Sequence, residues 1–566
     1  MKKLLFCFLI LALKLNLLSA QNFLPFEWRI SFSDTAQTSQ VKRIDSWKTV
    51  NLLLSWERQG YFSRQGKCCL ATDFMVSGSF ADSTLILSVG LQCNVAAIYI
   101  NNHYIGGKLP CLFWSDKNAK TEFRIPSKIL NKQKKNRIEI YASDLSYTGG
   151  LSYNSCKLLP CSKLEQSNVK VIVPIANHVI VDKGIKLKLR FKTSENAKLC
   201  LSIKNDFHKQ IVYQQFDVTS RDSVVNVDLS NEIKTPGFYE CVAYLNGGGY
   251  SGDVQWVALS PEKLNCTTDT IAGYKQYWDD MLAELNAVKP DFKIHKVDSL
   301  TSATRDGYVV EMRSLGNLIV RGYYFVPRTA GKHAAILHVP GYGWGFQNVS
   351  SFINSEENVI ELALCVRGHG ISADVFNPGF DIPGIWGYQL CSERDNAYRA
   401  IYADCVRAVE FLLSRAEVDS LRIGVMGGSQ GGGLTLATAG LCKNKIAACA
   451  YFDPFQCDIH DFVNIREICK TELTLYHAYY NNACSLEQVM HVQDLINTKG
   501  FANWITCPTL FATSLFDDDC PPHVGFAAYN AIKSPKQYVV YPNDSHFGES
   551  NYTQTFIQFF KKQLDF

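Results

Sequence analysis

The hydrophobic pattern of this chain changes character twice. From Asn22 to about Pro160, short runs of β-branched, aromatic and leucine residues are separated by Gly, Asn and Asp. Leu85 to Val89 and Val95 to Ile100 are two such runs, the second leading into Asn101-Asn102-His103. Short strands joined by tight turns predict a β-sandwich or jelly roll. From about Val169 to Leu259 apolar and polar residues alternate, strictly so in Ile185-Lys186-Leu187-Lys188-Leu189-Arg190-Phe191 and again through Val224 to Leu229 and Tyr239 to Tyr244. A period of two gives strands with one wet face, and the spacing predicts an immunoglobulin-like sandwich. No catalytic constellation is visible there, and a spacer is the simplest role.

From about Pro261 the period lengthens. Ile271, Tyr274, Tyr277, Trp278, Met281, Leu282 and Leu285 recur at helical spacing, with Asp269 as a candidate cap, and Ile401 to Leu413 predicts a second amphipathic helix. Between and after them stand runs that are mostly apolar: Ala334 to Val339, Leu362 to Val366, Ile423 to Met426, Ala447 to Phe452, Thr509 to Thr513 and Gln537 to Tyr541. Apolar strands alternating with helices predict a parallel sheet covered on both faces, with functional residues in the loops beyond the strands' carboxyl ends. The predicted organisation is multidomain, two N-terminal all-β sandwich domains (21–165 and 166–260) followed by an α/β domain (261–566).

Composition adjusts this picture in three places. A length of 566 residues predicts several domains, and a formal net charge of +4 without a dense basic stripe speaks against nucleic acid as a partner. Lys2 and Lys3, the apolar run from Leu4 to Leu18 and the small residues of Leu18-Ser19-Ala20 predict a signal peptide over residues 1–20, hence an exported protein, periplasmic or extracellular. No other stretch is long and apolar enough to span a bilayer. There are 20 cysteines. Export favours disulfides, yet Cys241, Cys365 and Cys449 sit in apolar strand-like runs where a thiol is a small hydrophobe. Cys68, Cys69, Cys156 and Cys161 are the candidates for a bridge, and no zinc-site spacing occurs, so a zinc site is not expected.

The candidate chemistry centres on Leu421 to Leu436, which reads LRIGVMGGSQGGGLTL. An apolar strand stops at two glycines, presents Ser429, and passes through three more glycines into a helix. In this G-x-S-x-G pattern the serine sits on a sharp turn close to a helix N-terminus, where backbone N–H groups can stabilise an oxyanion. A serine hydroxyl needs a base, and the base needs an orienting carboxylate. The strand ending at Thr513 runs into Asp517-Asp518-Asp519, and the strand ending at Tyr541 runs into Asp544-Ser545-His546. Chain order and placement select His546 as base and Asp517, first after its strand, as acid; Asp518 and Asp519 are read as solvated or loop-fixing, and Asp544 as too close to His546 to orient it. The loop Pro340-Gly341-Tyr342-Gly343-Trp344-Gly345 follows another strand. The backbone N–H groups of Tyr342 and Gln430 are the candidate oxyanion hole, each donor worth about 3 kcal/mol. His338 is expected in the core, while Arg367, His369, Trp344 and Pro454 are candidate pocket residues and His523 a second histidine near the site.

Two resemblances follow from these residues. Leu54-Ser55-Trp56-Glu57, Ile98-Tyr99-Ile100-Asn101-Asn102, Ile105-Gly106-Gly107, Phe123-Arg124-Ile125-Pro126, Asn136-Arg137-Ile138-Glu139-Ile140 and Gly149-Gly150-Leu151 resemble the galactose-binding-like jelly roll of many glycoside hydrolase family 2 enzymes. This implies a fold more than an activity. From Pro261 onward, Pro340-Gly341-Tyr342-Gly343, Arg367-Gly368-His369-Gly370, the helix Tyr398 to Ala408, Arg422 to Gly432, Asp453-Pro454-Phe455, Cys507-Pro508, Leu515-Phe516-Asp517, Cys520-Pro521-Pro522 and Phe526 to Asn530 resemble carbohydrate esterase family 7. That is the acetyl xylan esterase and cephalosporin C deacetylase family. The resemblance implies an α/β-hydrolase that deacetylates sugars with Ser429, Asp517 and His546 and without a cofactor. It implies an acetylated oligosaccharide or polysaccharide as substrate. It also makes a homo-oligomeric ring an option, which the two added β-domains oppose. The family usually has Gln at the position of His369 and an acidic residue at that of Phe547. Two alternatives stay open from the residues alone: another serine hydrolase of this fold acting on a different ester or a peptide, and a catalytically silent glycan-binding protein.

Overall fold

The computed structural model describes nearly all of residues 270–566, the exceptions being 344, 347, 377–384, 480–482, 518 and 547–551, and before residue 270 chiefly the strands given below. The expected signal peptide, Leu54 to Glu57, Gly149 to Leu151, Cys161, Asp269, Trp344 and Phe547 lie outside the described residues. The chain divides into two compact units, residues 1–260 and 261–566.

The first unit contains two β-rich cores. In the first, an antiparallel sheet runs in the order Lys48–Asn51, Glu27–Ser31, Lys67–Phe74, Asn136–Ser143, Asn94–Ile100, His103–Gly106, and a three-stranded sheet consists of Thr121–Ile125, Leu85–Val89 and Lys157–Pro160. Trp28, Leu70, Leu87, Ile98, Ile140 and Leu158 fill its interior. Cys68, Cys69 and Cys156 are buried there, and the bridge found among the described residues joins two other cysteines. The predicted turn Asn101-Asn102 has both residues at positive φ, and Asn101 Nδ2 donates to the buried Asn136 side chain at 2.7 Å.

In the second core, Lys186–Lys192 pairs with Asn168–Ile172 and Asp222–Asp228. Five further strands form the order Val179–Ile180, Gly252–Leu259, Gly237–Asn246, Ala197–Asn205, Gln210–Val218. The alternation reads out as expected: Leu187, Leu189 and Phe191 are buried beside Leu201, Ile203 and Val257, while Lys186, Arg190 and Lys192 are exposed.

The second unit is built on nine strands: β1 (Lys293–Lys296), β2 (Arg305–Arg313), β3 (Ile319–Pro327), β4 (His333–His338), β5 (Ile360–Cys365), β6 (Val418–Gly428), β7 (Ala448–Phe452), β8 (Thr509–Ser514) and β9 (Lys536–Tyr541). Their order is β1-β2-β3-β5-β4-β6-β7-β8-β9. The sheet is therefore not parallel throughout. From β5 to β9 every pairing is parallel, but β1, β2 and β3 form an antiparallel edge joined to β5. These three strands escape the apolar-run criterion because partly buried and buried positions alternate along β2 and β3. A buried ion network ties this edge to the parallel part. Arg305 Nη1 bonds Glu361 and the Phe352 carbonyl, and His338 Nε2 lies 3.1 Å from Glu361 Oε1. His338 is thus a core residue, as expected.

Five helices matter for the site: α1 (Tyr274–Ala287), α2 (Ala397–Leu413), α3 (Gln430–Leu441), α4 (Pro522–Ala531) and α5 (Tyr552–Leu564). α1 begins after Gly273, at φ +82°, and buries Tyr274, Trp278, Met281 and Leu285. α2 is capped by Asn396, whose side chain accepts the Tyr398 N–H at 3.0 Å. α5 lays Phe556, Phe559, Phe560 and Leu564 against Met426, Ala448, Ala450 and Leu510 of the sheet. A disulfide joins Cys391, ahead of α2, to Cys484. Among the described residues no helix is long and apolar enough to cross a membrane.

Candidate active site

Ser429 stands between β6 and α3 with φ +59° and ψ −123°, a conformation that L-residues adopt only under constraint from the surrounding structure. The constraint is visible. Its N–H donates to the Phe452 carbonyl of β7 at 3.0 Å, and its own carbonyl accepts N–H groups from Gly432, Gly433 and Phe455. The glycines are needed for close approach: a Cβ at Gly431 would lie 2.6 Å from the Val339 carbonyl, and one at Gly433 2.2 Å from that of Phe455. The strand and helix can close on the serine only because these side chains are missing.

Asp517 and His546 leave the carboxyl ends of β8 and β9 and meet. His546 Nδ1 lies 2.6 Å from Asp517 Oδ2, and both side chains are buried. Asp517 Oδ1 accepts the N–H groups of Asp519 and Cys520 at 2.8 and 2.7 Å, which fixes the carboxylate plane. Phe452 links the two halves of the site. Its carbonyl holds Ser429, its ring centroid lies 6.4 Å from that of His546, and it stacks on Tyr552 at 4.5 Å. Asp519 was set aside on sequence, yet its Oδ2 lies 3.7 Å from His546 Nε2 and its Oδ1 3.6 Å from Arg466 Nη2. A run of aspartates carries no signal for which of them turns inward; the N–H groups of residues 519 and 520 bonding back to Asp517 decide it. Asp544 contributes a carbonyl, which accepts the Phe516 N–H at 3.0 Å.

The residues around Tyr342 are organised by His369. Its ring is fully buried, with Nδ1 3.1 Å from the Arg367 carbonyl and Nε2 accepting the Gly343 N–H at 3.2 Å, so the neutral ring carries its proton on Nδ1. Burial pulls its pKa down to about 4. The Gln430 amide reaches the same place, with Nε2 3.0 Å from His369 Nε2, 3.3 Å from the Pro340 carbonyl and 3.2 Å from that of Gly341, while Oε1 accepts from the Tyr398 hydroxyl. The Gln430 side chain therefore ties the 340–343 loop to the start of α3.

The contacts of three pocket candidates are defined. His369 is buried behind the loop, its ring nitrogens spent on the Gly343 N–H and the Arg367 carbonyl. Arg367 forms a two-toothed ion pair with the buried Asp404 at 2.9 and 2.7 Å and a bond to the Leu315 carbonyl, so its guanidinium is consumed within the protein. Pro454 is buried against Gly432 and Gly525. His523 lies on α4, buried, 3.3 Å from Asp461. Among the described residues one group of donor side chains, Cys266, Asp458 and His523, has the proximity to hold a metal ion. Lys499 already ion-pairs with Asp458 there at 3.1 Å, so the donor set does not fit a second cation.

A strained serine at a strand–helix turn, with an Asp–His pair delivered by later strand ends of a mainly parallel sheet, places this unit in the α/β-hydrolase class. Residues 263–564 match the family described as Acetyl xylan esterase (AXE1); the chain belongs to that family and is a carboxylic ester hydrolase. It is similar to "Acetyl esterase Axe7A" of Xylanibacter ruminicola, 29% identical over 364 residues that cover 61% of this chain and 79% of that protein. A shorter stretch of 149 residues is 30% identical to an acylamino-acid-releasing enzyme of Arabidopsis thaliana and covers 25% of this chain and 19% of that one. Among solved structures, the acetyl xylan esterase from Paenibacillus sp. R4 superimposes with a TM-score of 0.50 at 26% identity, covering 54% of this chain and 98% of that chain. Family membership sets aside the silent glycan-binding alternative.

Proposed function

We propose that this protein is an exported deacetylase of O-acetylated xylan fragments or related plant glycans, working through an acetyl-enzyme intermediate. The observation that carries the mechanism is the pairing of His546 with Asp517, on the far side of Phe452, whose carbonyl accepts the Ser429 N–H and whose ring lies 6.4 Å from that of His546. His546 Nε2 takes the proton of the Ser429 hydroxyl as the oxygen attacks the acetyl carbonyl, and Asp517 stabilises the imidazolium that forms. The N–H groups of Tyr342 and Gln430 receive the oxyanion. Collapse of the tetrahedral intermediate releases the sugar hydroxyl, which takes its proton from His546. Water, deprotonated by the same base, then releases acetate.

Acetyl preference comes from the family and from the relatives' names, since these residues would cleave many small esters. The test compares hydrolysis of acetyl, longer acyl and peptide bonds by the purified protein. The reading predicts fast acetyl release, slow release of longer chains and no peptide cleavage; a preference for peptides would overturn it. The intermediate is checked by mass spectrometry of rapidly quenched enzyme, with a gain of one acetyl group on the peptide containing Ser429.

A further inference from the structure

Asp519 stands at a point where the proposed mechanism calls for no further acid. Asp517 already holds His546 Nδ1 at 2.6 Å. Asp519 approaches the opposite ring nitrogen: its Oδ2 lies 3.7 Å from His546 Nε2, the atom that the proposed mechanism uses to take and return the proton. Two contacts fix it there. The Asp519 N–H donates to Asp517 Oδ1 at 2.8 Å, which pins the backbone. Asp519 Oδ1 lies 3.6 Å from Nη2 of Arg466, the residue that ends the helix Ile459–Ile465. The Arg466 side chain is 15% exposed and that of Asp519 34%, so the cation is the more buried partner and the carboxylate is open to solvent, and hence to a ligand.

A separation of 3.7 Å is too long for a direct hydrogen bond between Oδ2 and Nε2. During turnover the leaving sugar oxygen has to sit within hydrogen-bond reach of Nε2. A carboxylate beside it has no proton to give that oxygen, since it can only accept. The group it fits is therefore a donor carried on the carbon next to the leaving oxygen. In a sugar that donor is the vicinal hydroxyl, and an acetylated xylose ring carries one beside the ester wherever the neighbouring position is free. A second acetyl group or an ether at that position brings no proton and would desolvate the carboxylate without replacing the lost water. Arg466 draws Oδ1 to itself and leaves Oδ2 as the acceptor.

We propose that Asp519 is a specificity residue that accepts a hydrogen bond from the free hydroxyl next to the acetylated oxygen, so that the enzyme selects monoacetylated vicinal diols. This rests on the deacetylase reading above and narrows the substrate class of that same site.

The test measures kcat/KM of the full-length wild type, Asp519→Ala and Asp519→Asn on two esters, trans-2-hydroxycyclohexyl acetate and trans-2-methoxycyclohexyl acetate. Both carry an oxygen beside the acetyl group, and only the first can donate. The wild type favours the hydroxyl ester by about 10-fold or more, as a hydrogen bond to a charged group does. Asp519→Ala lowers that ratio by about 10-fold. Asp519→Asn keeps the size of the side chain and a neutral acceptor, and lowers the ratio by about 3- to 5-fold; a fall there reports the acceptor and not new room for the methyl group. A role confined to holding the loop or to stabilising the imidazolium would slow both esters equally and leave the ratio unchanged. An unchanged ratio in either variant, or no preference in the wild type, overturns the proposal. Should Asp519→Ala not fold, by circular dichroism, the ratio in Asp519→Asn decides alone. Failure of the deacetylase reading looks different: the wild type cleaves neither ester, or Ser429→Ala cleaves both, and the proposal falls with it.

Discussion

At the scale of single residues, the site is a set of side chains whose orientation is fixed by partners they cannot exchange for water. His369 is the clearest case. Its folded pKa lies near 4 against an ordinary 6.5, because burial penalises the charged ring. Between those values the unfolded chain binds a proton that the folded one does not, so stability is full above about pH 6.5 and is lost as pH falls toward 4, by up to about 3 kcal/mol. His369→Gln keeps an acceptor for the Gly343 N–H and removes the titration. Urea unfolding at pH 5 and pH 7.5 should therefore show a smaller acid loss in His369→Gln than in wild type. Removing one partner of the buried pair in Arg367→Met should cost about 3–5 kcal/mol by leaving Asp404 charged and unpaired, read as a lower denaturation midpoint. The sharp turn at Ser429 and the meeting of Asp517 with His546 were legible in the sequence because glycine spacing and chain order are local signals. The internal contacts of Arg367 and His369 were not, because a motif shows that residues are near one another, not which way they point. Asp519 was missed for the same reason.

At the scale of elements, the nucleophile turn works because β6, β7 and α3 approach more closely than side chains allow. Gly433→Ala would push a Cβ to 2.2 Å from the Phe455 carbonyl. Backbone cannot step aside as a flexible side chain does, so the substitution should cost about 3 kcal/mol and disturb the Ser429 carbonyl bonds, lowering both the thermal midpoint and kcat. The parallel strands were legible as apolar runs, and their observed limits differ from the predicted ones by at most two residues, except that β6 begins at Val418, five residues before Ile423. The antiparallel edge was not, since β2 and β3 are half wet and resemble loop text. Nor was the bridge between Cys391 and Cys484, which lie 93 residues apart in sequence, because spacing carries no record of which distant cysteines fold together. Closing so long a loop restricts the unfolded chain, and Cys391→Ser with Cys484→Ser should lower stability by about 4 kcal/mol. Denaturant titration of the double variant checks this.

At the scale of the whole molecule, residues 261–566 carry their own sheet, core and site. The solved chain of the Paenibacillus sp. R4 esterase is covered to 98% by 54% of this chain. Residues 261–566 expressed alone should fold and hydrolyse a small acetyl ester with kcat/KM close to that of the full chain, and any loss confined to polymeric substrates would assign the first unit a part in glycan binding. The most direct test of the central claim is acetate release from acetylated xylo-oligosaccharides by the wild type beside Ser429→Ala. The account predicts release by the wild type and a loss of about 10⁴-fold or more in the variant, as for removal of a triad nucleophile. Equal release by both, or none from either, would contradict it.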